Sequence, residues 1–241
     1  MKLDILVFAA HPDDAELSMG GTIAKLTKQG ISIGIVDLTE GELGTRGTPE
    51  LRRKEAAAAS EILKISKRVN LGLPDGRLNA NVEFVNQTIT MIRKYTPTFI
   101  FAPYFNDRHP DHINASEIVK RAMFLSGLQK IFTEIDGVKQ AAYRPNKLFY
   151  YMHMYEFIPT FIVDISDTFK TKMESVLAFG SQFYDPSNKE PDTFISQPNF
   201  LKFLEARARS YGFKIGKDYG EPFYCEEEIE IDLASMLKFY K

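Results

Sequence analysis

The chain has 241 residues, of which 44% are hydrophobic and 26% charged, so it can bury a sizeable core and has the composition of a globular protein. Its formal net charge at pH 7 is −2 and it contains no block of lysine or arginine, which argues against electrostatic binding to nucleic acid or anionic lipid. The single cysteine excludes an internal disulfide and is typical of a reducing cytoplasm.

Strand and helix patterns alternate over the first half of the chain. Short apolar runs rich in β-branched residues indicate buried strands, and apolar residues at helical spacing indicate amphipathic helices between them. Such alternation is typical of a parallel, doubly wound sheet. The predicted strands are residues 3–8, 31–38, 68–71 and 98–103, and the predicted helices are 22–30, 50–63 with Thr48 as N-cap, 82–95 and 110–125.

The pattern is less regular beyond Gly127. Strands are predicted at residues 147–155 and 161–165, and helices at 167–179 and 198–211. No internal repeat or linker divides the sequence, so we predict one domain over residues 1–241. The predicted fold class is α/β, with a doubly wound, mainly parallel, Rossmann-like sheet, helices on both faces and a less regular C-terminal extension.

The first chemical motif is His11-Pro12-Asp13-Asp14, directly after the first predicted strand. In open α/β sheets, ligands bind in the crevice beyond the carboxyl ends of the strands. If a helix follows, His11 and Asp14 project to the same side because they are three residues apart, while Asp13 points elsewhere. This geometry suits one carboxylate on a metal and its neighbour as a base.

The second motif, Asp107-Arg108-His109-Pro110-Asp111-His112, follows another predicted parallel strand. Either motif alone is weak, but their placement on two strands of one sheet favours a metal site. Two histidines and one carboxylate would leave a fourth position open for water, as in catalytic zinc sites. A helix N-terminus at His112 would keep its imidazole neutral, although spacing alone leaves His109 and His112 both open as the ligand.

Together the motifs resemble the PIG-L/LmbE-like family of zinc-dependent N-acetylglucosaminyl deacetylases. Within that family, the sequence is most similar to members that act on N-acetyl-α-D-glucosaminyl L-malate in bacillithiol biosynthesis. The resemblance extends over nearly the whole chain and includes Thr39-Glu40-Gly41, Leu51-Arg52-Arg53-Lys54-Glu55-Ala56, Leu71, Pro74-Asp75-Gly76, Ser181-Gln182-Phe183 and Tyr219-Gly220-Glu221-Pro222-Phe223.

The resemblance implies a set of site residues and a reaction. It implies one Zn²⁺ per chain, although other divalent transition metals would also suit such a site. Asp13 would be the general base, and His109 would help to stabilise the oxyanion. Either protonated Asp13 or His109 could supply the proton that the departing amine needs. The products would be acetate and a free glucosamine amine. The implied zinc ligands are His11, Asp14 and His112.

Other residues are candidates for supporting roles. Arg52 lies at the family position whose arginine reaches the sugar or aglycone, and Arg108 is a further candidate for the malate carboxylates. Glu16 could orient His11 or could equally be an acidic residue at a helix start. His153 could be a fourth ligand, but it reads rather as a strand histidine packed among aromatic side chains. Four tyrosines compete as a further oxyanion donor: Tyr151, Tyr155, Tyr184 and Tyr211.

The predicted function is deacetylation of a small-molecule amino-sugar conjugate in the cytoplasm. One alternative is the same chemistry on another N-acetylglucosamine-containing small molecule or oligosaccharide, and another is a non-catalytic metal- or nucleotide-binding α/β module. The apolar start is too short for a signal peptide, and no run reaches transmembrane length, so neither membrane nor nucleic acid is an expected partner. The resemblance suggests a homo-oligomer, a trimer or hexamer.

Overall fold

A computed structural model describes residues 1–234 and 237. The predicted alternation of strands and helices is confirmed over residues 5–126. The prediction of one domain over 1–241 also covers residues outside the described part. The helices are α1 Asp14–Lys28, α2 Pro49–Leu63, α3 Val82–Tyr95, α4 Pro110–Ser126, α5 Phe169–Leu177 and α6 Phe200–Lys214. The strands are β1 Ile5–Ala9, β2 Ile33–Thr39, β3 Lys67–Leu73, β4 Phe99–Pro103, β5 Glu134–Ile135, β6 Val138–Lys139, β7 Lys147–Tyr151, β8 Phe161–Asp164 and β9 Gly220–Tyr224.

Seven strands form one sheet in the order β3-β2-β1-β4-β7-β9-β8. The first five strands of this order pair in parallel, whereas β9 is antiparallel to both of its neighbours. The chain winds outward from β1 through β2 to β3 and then returns to place β4 on the other side of β1. The predicted doubly wound, mainly parallel sheet is therefore confirmed, and its switch point lies between β1 and β4.

Helices cover both faces of this sheet because successive side chains of a strand point to opposite sides. On β1, Leu6 and Phe8 pack in a core shared with α3 and α4, whereas Ile5 and Val7 pack in a core shared with α1. A third apolar cluster joins α2, α5 and α6 on the outside of α1. Each fully buried large apolar side chain contributes about 1.5–3 kcal/mol to the free energy of unfolding.

Several predicted boundaries were wrong for identifiable reasons. α1 begins at Asp14, eight residues before the predicted start, because the metal motif itself leads into the helix. The predicted strand over residues 147–155 ends at Tyr151. The last predicted helix continues past Gly212, whose missing side chain allows contact with Tyr219, since a Cβ there would lie 2.6 Å from the Tyr219 backbone nitrogen.

The antiparallel strand β9 was not predicted, and neither was the short β5–β6 hairpin. The helix predicted over residues 167–179 is α5, which has Thr168 at its N-cap position. No helix in the described part of the chain is long and apolar enough to cross a membrane.

Candidate active site

Three adjacent parallel strands bring all four histidines of the chain to one edge of the sheet. β1 ends at Ala9, two residues before His11, and β4 ends at Pro103, before the loop that carries His109 and His112. β7 pairs with β4 and ends at Tyr151, so His153 also follows a strand at this edge. The two predicted motifs therefore lie together at the switch point.

His11 is held by carboxylates on both sides of its ring. Its Nε2 lies 3.0 Å from Asp75 Oδ1 and 3.5 Å from Asp111 Oδ2, and its Nδ1 lies 3.6 Å from Asp14 Oδ2. The backbone N–H of His11 also donates to Asp14 Oδ2. Donation of Nε2–H to Asp75 leaves the Nδ1 lone pair directed toward Asp14, as in a histidine ligand supported by a carboxylate.

The expectation that Glu16 orients His11 was wrong. Its carboxylate lies in a buried ion pair with Arg68, which also binds Asp37 through two nitrogens. Helical geometry turns Glu16 away from the crevice, because it is two residues from Asp14 and therefore on another side of α1. The partner of His11 comes instead from the turn after β3, at Asp75.

His112 has the same arrangement with its nitrogens exchanged. Its Nδ1 lies 2.9 Å from Asp107 Oδ1, and its Nε2 lies 3.3 Å from Asp14 Oδ1. Burial lowers the pKa of His112, but the charge of Asp14 and the hydrogen bond to Asp107 outweigh burial and raise the pKa to about 9. In the absence of a metal, these two carboxylates rather than the helix N-terminus set the direction of the His112 pKa shift.

His109 differs from His11 and His112, because the ring nitrogen that the protein holds is a hydrogen-bond acceptor. It occupies the N-cap position of α4, where its Nδ1 accepts the backbone N–H of Asp111 at 3.2 Å. The neutral ring then carries its proton on Nε2. Burial and the charges of His11 and His112 lower the pKa of His109. The geometry thus favours His112 as the ligand and His109 as a hydrogen-bond donor, a choice that spacing had left open.

His153 lies against the same cluster and was not predicted as a site residue. Its ring stacks on His112 with the centroids 4.1 Å apart, and its side chain is almost wholly buried. Its Nε2 is 3.6 Å from Asp14 Oδ1 and has no hydrogen-bond partner within residues 1–234 and 237. The sequence did not indicate this position, because the aromatic run from Tyr150 to Tyr155 predicts a longer strand than the one observed.

Asp13, the predicted base, is buried beside Arg52. Its Oδ2 accepts from Arg52 Nη2 at 2.9 Å, and the same nitrogen donates to the Pro12 carbonyl. Burial raises the pKa of Asp13, and although the Arg52 charge opposes this effect, the pKa reaches about 7. A base with a pKa near the working pH is effective in proton transfer. Asp13 also has a φ of 117°, a rare conformation for a residue other than glycine.

The two predicted substrate-binding arginines lie in different surroundings. Arg52 is buried under the loop after β2, where a Cβ at Gly41 would lie 2.5 Å from its Nη1. Arg108 is exposed, and its guanidinium lies 4.2 Å from the ring centroid of Phe194. Among residues 1–234 and 237, no carboxylate lies within 4.0 Å of Arg108. Tyr151, one of the four candidate tyrosines, donates its hydroxyl to the Phe8 carbonyl.

The donors fit a divalent transition metal. Potential ligand atoms lie within 4.8 Å of one another in three overlapping groups, and imidazole and carboxylate donors suit zinc and related ions. The unpartnered, buried Nε2 of His153 also fits a metal, since it needs a bond that the protein does not supply. The groups are His11 with His109 and His112, Asp14 with His112 and His153, and His11 with Asp75 and Asp111.

Comparison with known proteins connects this site to a family. Residues 6–123 match the PIG-L family, described as GlcNAc-PI de-N-acetylase. A diacetylchitobiose deacetylase from Thermococcus kodakarensis is 33% identical over 195 residues, 74% of this chain and 70% of that relative. A probable N-acetyl-alpha-D-glucosaminyl L-malate deacetylase 2 from Bacillus cereus is 34% identical over 136 residues, 51% of this chain and 62% of that relative. The crystal structure of the conserved protein TT1542 from Thermus thermophilus superposes with a TM-score of 0.85 at 39% identity, covering 95% of this chain and 97% of that one.

Proposed function

We propose a function from the premise that this chain belongs to the PIG-L family of de-N-acetylases. Its relatives are named as deacetylases, so the chain is an amidohydrolase, as the sequence predicted. Members of this family depend on a metal, and the described cluster has the donors to hold one. The prediction of a non-catalytic α/β module is therefore not supported.

The observation that carries the proposal is that Asp13 and His109 both lie beside the cluster of possible metal-ligand atoms. A bound divalent metal supplies a Lewis acid that polarises the amide carbonyl and makes water more acidic. Asp13 takes a proton from the attacking water while the water oxygen forms a bond to the carbonyl carbon. His109 donates its Nε2–H to the developing oxyanion. When the C–N bond breaks, the proton on Asp13 passes to the amine, and acetate and a free amine leave.

As ligands we propose His11, Asp14 and His112, and as metal one Zn²⁺ per chain. Two imidazoles and a carboxylate with an open position form a common catalytic zinc site, although other divalent transition metals suit the same donors. Asp75 and Asp107 support this choice, because each accepts from the second nitrogen of one of these histidines.

The proposed substrate is N-acetyl-α-D-glucosaminyl L-malate, with glucosaminyl malate and acetate as the products, in bacillithiol biosynthesis. The likeness to the Bacillus cereus relative supports this choice. The exposed guanidinium of Arg108 supports it further, because malate carries two carboxylates and guanidinium binds carboxylate through paired hydrogen bonds. The reaction would take place in the cytoplasm.

Diacetylchitobiose is the second candidate substrate. The alignment with the Thermococcus kodakarensis diacetylchitobiose deacetylase covers 74% of this chain, more than the alignment with the malate deacetylase. The scissile acetamide would be the same in both substrates. Only the group beyond the first sugar differs, and it is charged in one and neutral in the other.

Acetate release from a panel of substrates tests this proposal. The panel contains the glucosaminyl malate conjugate, N,N′-diacetylchitobiose and N-acetylglucosamine, each assayed before chelation, after chelation and after zinc is restored. We expect chelator-reversible activity with the highest kcat/KM on the malate conjugate, and in Arg108→Gln a higher KM on that substrate alone. Activity highest on diacetylchitobiose would select the second candidate, and no acetate from any member would contradict the hydrolase proposal.

A further inference from the structure

Three histidines around Asp14 share one arrangement. Each has one ring nitrogen held by a protein oxygen and the other directed toward the Asp14 carboxylate. For His153 the holding oxygen is Ser18 Oγ, 3.1 Å from Nδ1. The nitrogens directed toward Asp14 lie 3.6 Å from it in His11, 3.3 Å in His112 and 3.6 Å in His153.

This arrangement distinguishes metal ligands from other histidines. A ligating histidine typically donates its second N–H to a protein acceptor, which fixes the tautomer and aims the free lone pair at the metal. If His153 donates Nδ1–H to Ser18, its Nε2 keeps the lone pair that a metal requires. His109 lacks this property, because its Nδ1 accepts the Asp111 N–H and its Nε2 is therefore protonated.

A purely structural role explains His153 less well. The residue is 7% exposed, and its Nε2 has no hydrogen-bond partner among the residues that the structure describes. Leaving a buried polar nitrogen without a partner is unfavourable, and an apolar side chain of similar size would fill the same space without that cost. The position of Nε2 beside Asp14 and His112 supplies the partner that is otherwise missing, if a metal lies between them.

The loop that carries His153 is fixed from two sides. Asp107 binds His112 through Oδ1 and accepts the Met154 backbone N–H through Oδ2 at 2.9 Å, so one carboxylate positions both histidines. Arg207 of α6 donates to the His153 carbonyl from the other side. A side chain held this firmly is preorganised for a metal.

We propose that His153 is a further ligand of the metal, through Nε2, beside His11, Asp14 and His112, and that Ser18 is its positioning residue. This inference rests on the metal centre of the proposed function. The protein would then supply three imidazoles and one carboxylate. Catalytic zinc sites can expand to five ligands, so a position for substrate or water remains.

Counting imidazole ligands tests this inference directly. The unaltered protein, stripped of metal and loaded with ¹¹³Cd, is studied by long-range ¹H–¹⁵N correlation, in which a ring nitrogen bonded to cadmium shows coupling to it. We expect three coupled imidazoles, of which His153 couples through Nε2. Coupling to His11 and His112 alone would overturn the inference.

Variants provide a second measurement on the zinc protein. We expect His153→Gln to lose one imidazole in X-ray absorption and to bind zinc at least about 100-fold more weakly in competition with a chelator. Ser18→Ala should weaken zinc binding less than His153→Gln does. Ser18→Thr keeps the hydroxyl and should bind zinc more tightly than Ser18→Ala. Met154→Leu, at the neighbouring position, is the matched control and should bind zinc like the unaltered protein. The melting temperature of each metal-free variant checks its fold.

The outcomes separate this inference from the proposed function. If the unaltered protein binds zinc and His153→Gln binds it with the same affinity and imidazole count, the ligand role of His153 is rejected and the proposed function stands. If the unaltered protein binds no divalent metal, both are rejected. Should His153→Gln not fold, the cadmium measurement on the unaltered protein decides.

Discussion

Asp13 and Asp14 are adjacent carboxylates in opposite electrostatic surroundings. Burial raises the pKa of Asp13 to about 7, because the single charge of Arg52 only partly compensates for the loss of water. Burial also acts on Asp14, but the charge of His112 and the hydrogen bonds from His11 and His112 outweigh burial and hold the pKa of Asp14 well below its usual range. One carboxylate can therefore exchange protons near neutral pH, while its neighbour stays charged.

This difference predicts separate effects for the two substitutions. Asp13→Ala should keep its metal and lose on the order of 10²–10⁴-fold in kcat, because it removes the base and leaves the ligands. Asp14→Ala should lose the metal as well. Metal content by mass spectrometry, measured beside acetate release, checks both variants. Loss of metal from Asp13→Ala with retention in Asp14→Ala would mean that the two roles are exchanged.

Arg52 sets the pH at which Asp13 becomes a base. In the proposed mechanism Asp13 must be deprotonated to act, so kcat/KM should fall as the pH drops through the pKa of Asp13. Arg52→Gln removes the cation that lowers the Asp13 pKa, so the acidic limb should move to higher pH. A pH profile of kcat/KM measures the shift. Arg53→Gln is the control, since Arg53 is exposed and pairs with Glu40 and Glu50, and an unmoved limb in Arg52→Gln would contradict the prediction.

Helix α1 depends on a carboxylate from the far end of the chain. The helix is kinked at Met19, and Glu221 of β9 accepts the N–H groups of Gly21 and Thr22 just beyond the kink. Glu221 also forms a buried ion pair with Lys172 of α5. β9 therefore holds the helix that begins at Asp14, the proposed metal ligand, although β9 itself lies outside the crevice.

Removal of the Glu221 charge should destabilise the protein. Glu221→Gln leaves Lys172 buried without its counterion, and breaking such a pair costs about 3–5 kcal/mol in the free energy of unfolding. The exposed pair of Glu227 with Lys147 is the matched comparison, and Glu227→Gln should have a much smaller effect because water screens this pair. Urea unfolding measures both variants. Equal effects would show that burial of the pair is not decisive.

The elements that sequence patterns predicted are those with strong local signals. The helix predicted over residues 82–95 matches α3 at both ends, because its apolar spacing and its cap are local. β9 has no such signal, since Gly220 and Pro222 are both unfavourable in strands. This segment becomes a strand only because it pairs with β7 and β8. The same reason explains why the motifs predicted His11 and His112 but not Asp75, which reaches His11 only through the fold.

At the scale of the whole molecule, the site concentrates negative charge below the surface. Five aspartates with little exposed surface surround the histidines, and two of them, Asp75 and Asp107, have pKa values lowered chiefly by hydrogen bonds that outweigh burial. The five are Asp13, Asp14, Asp75, Asp107 and Asp111. A divalent cation would offset their mutual repulsion.

The single domain and the trimer or hexamer predicted from the sequence are properties of the whole molecule, and both stay predictions.

Metal removal should therefore lower the stability of the whole fold. A ligand present at 100 times its dissociation constant, and bound only by the folded state, stabilises it by about 2.7 kcal/mol, which corresponds to a melting temperature roughly 5–10 °C higher for a domain of this size. Differential scanning calorimetry with and without a chelator measures this difference, and Asp14→Ala should show none. Because protons compete with the metal for His112, whose pKa is raised to about 9, the stabilisation by metal should shrink as the pH falls. A melting temperature that a chelator does not change at any pH would mean that these carboxylates are balanced by the protein alone.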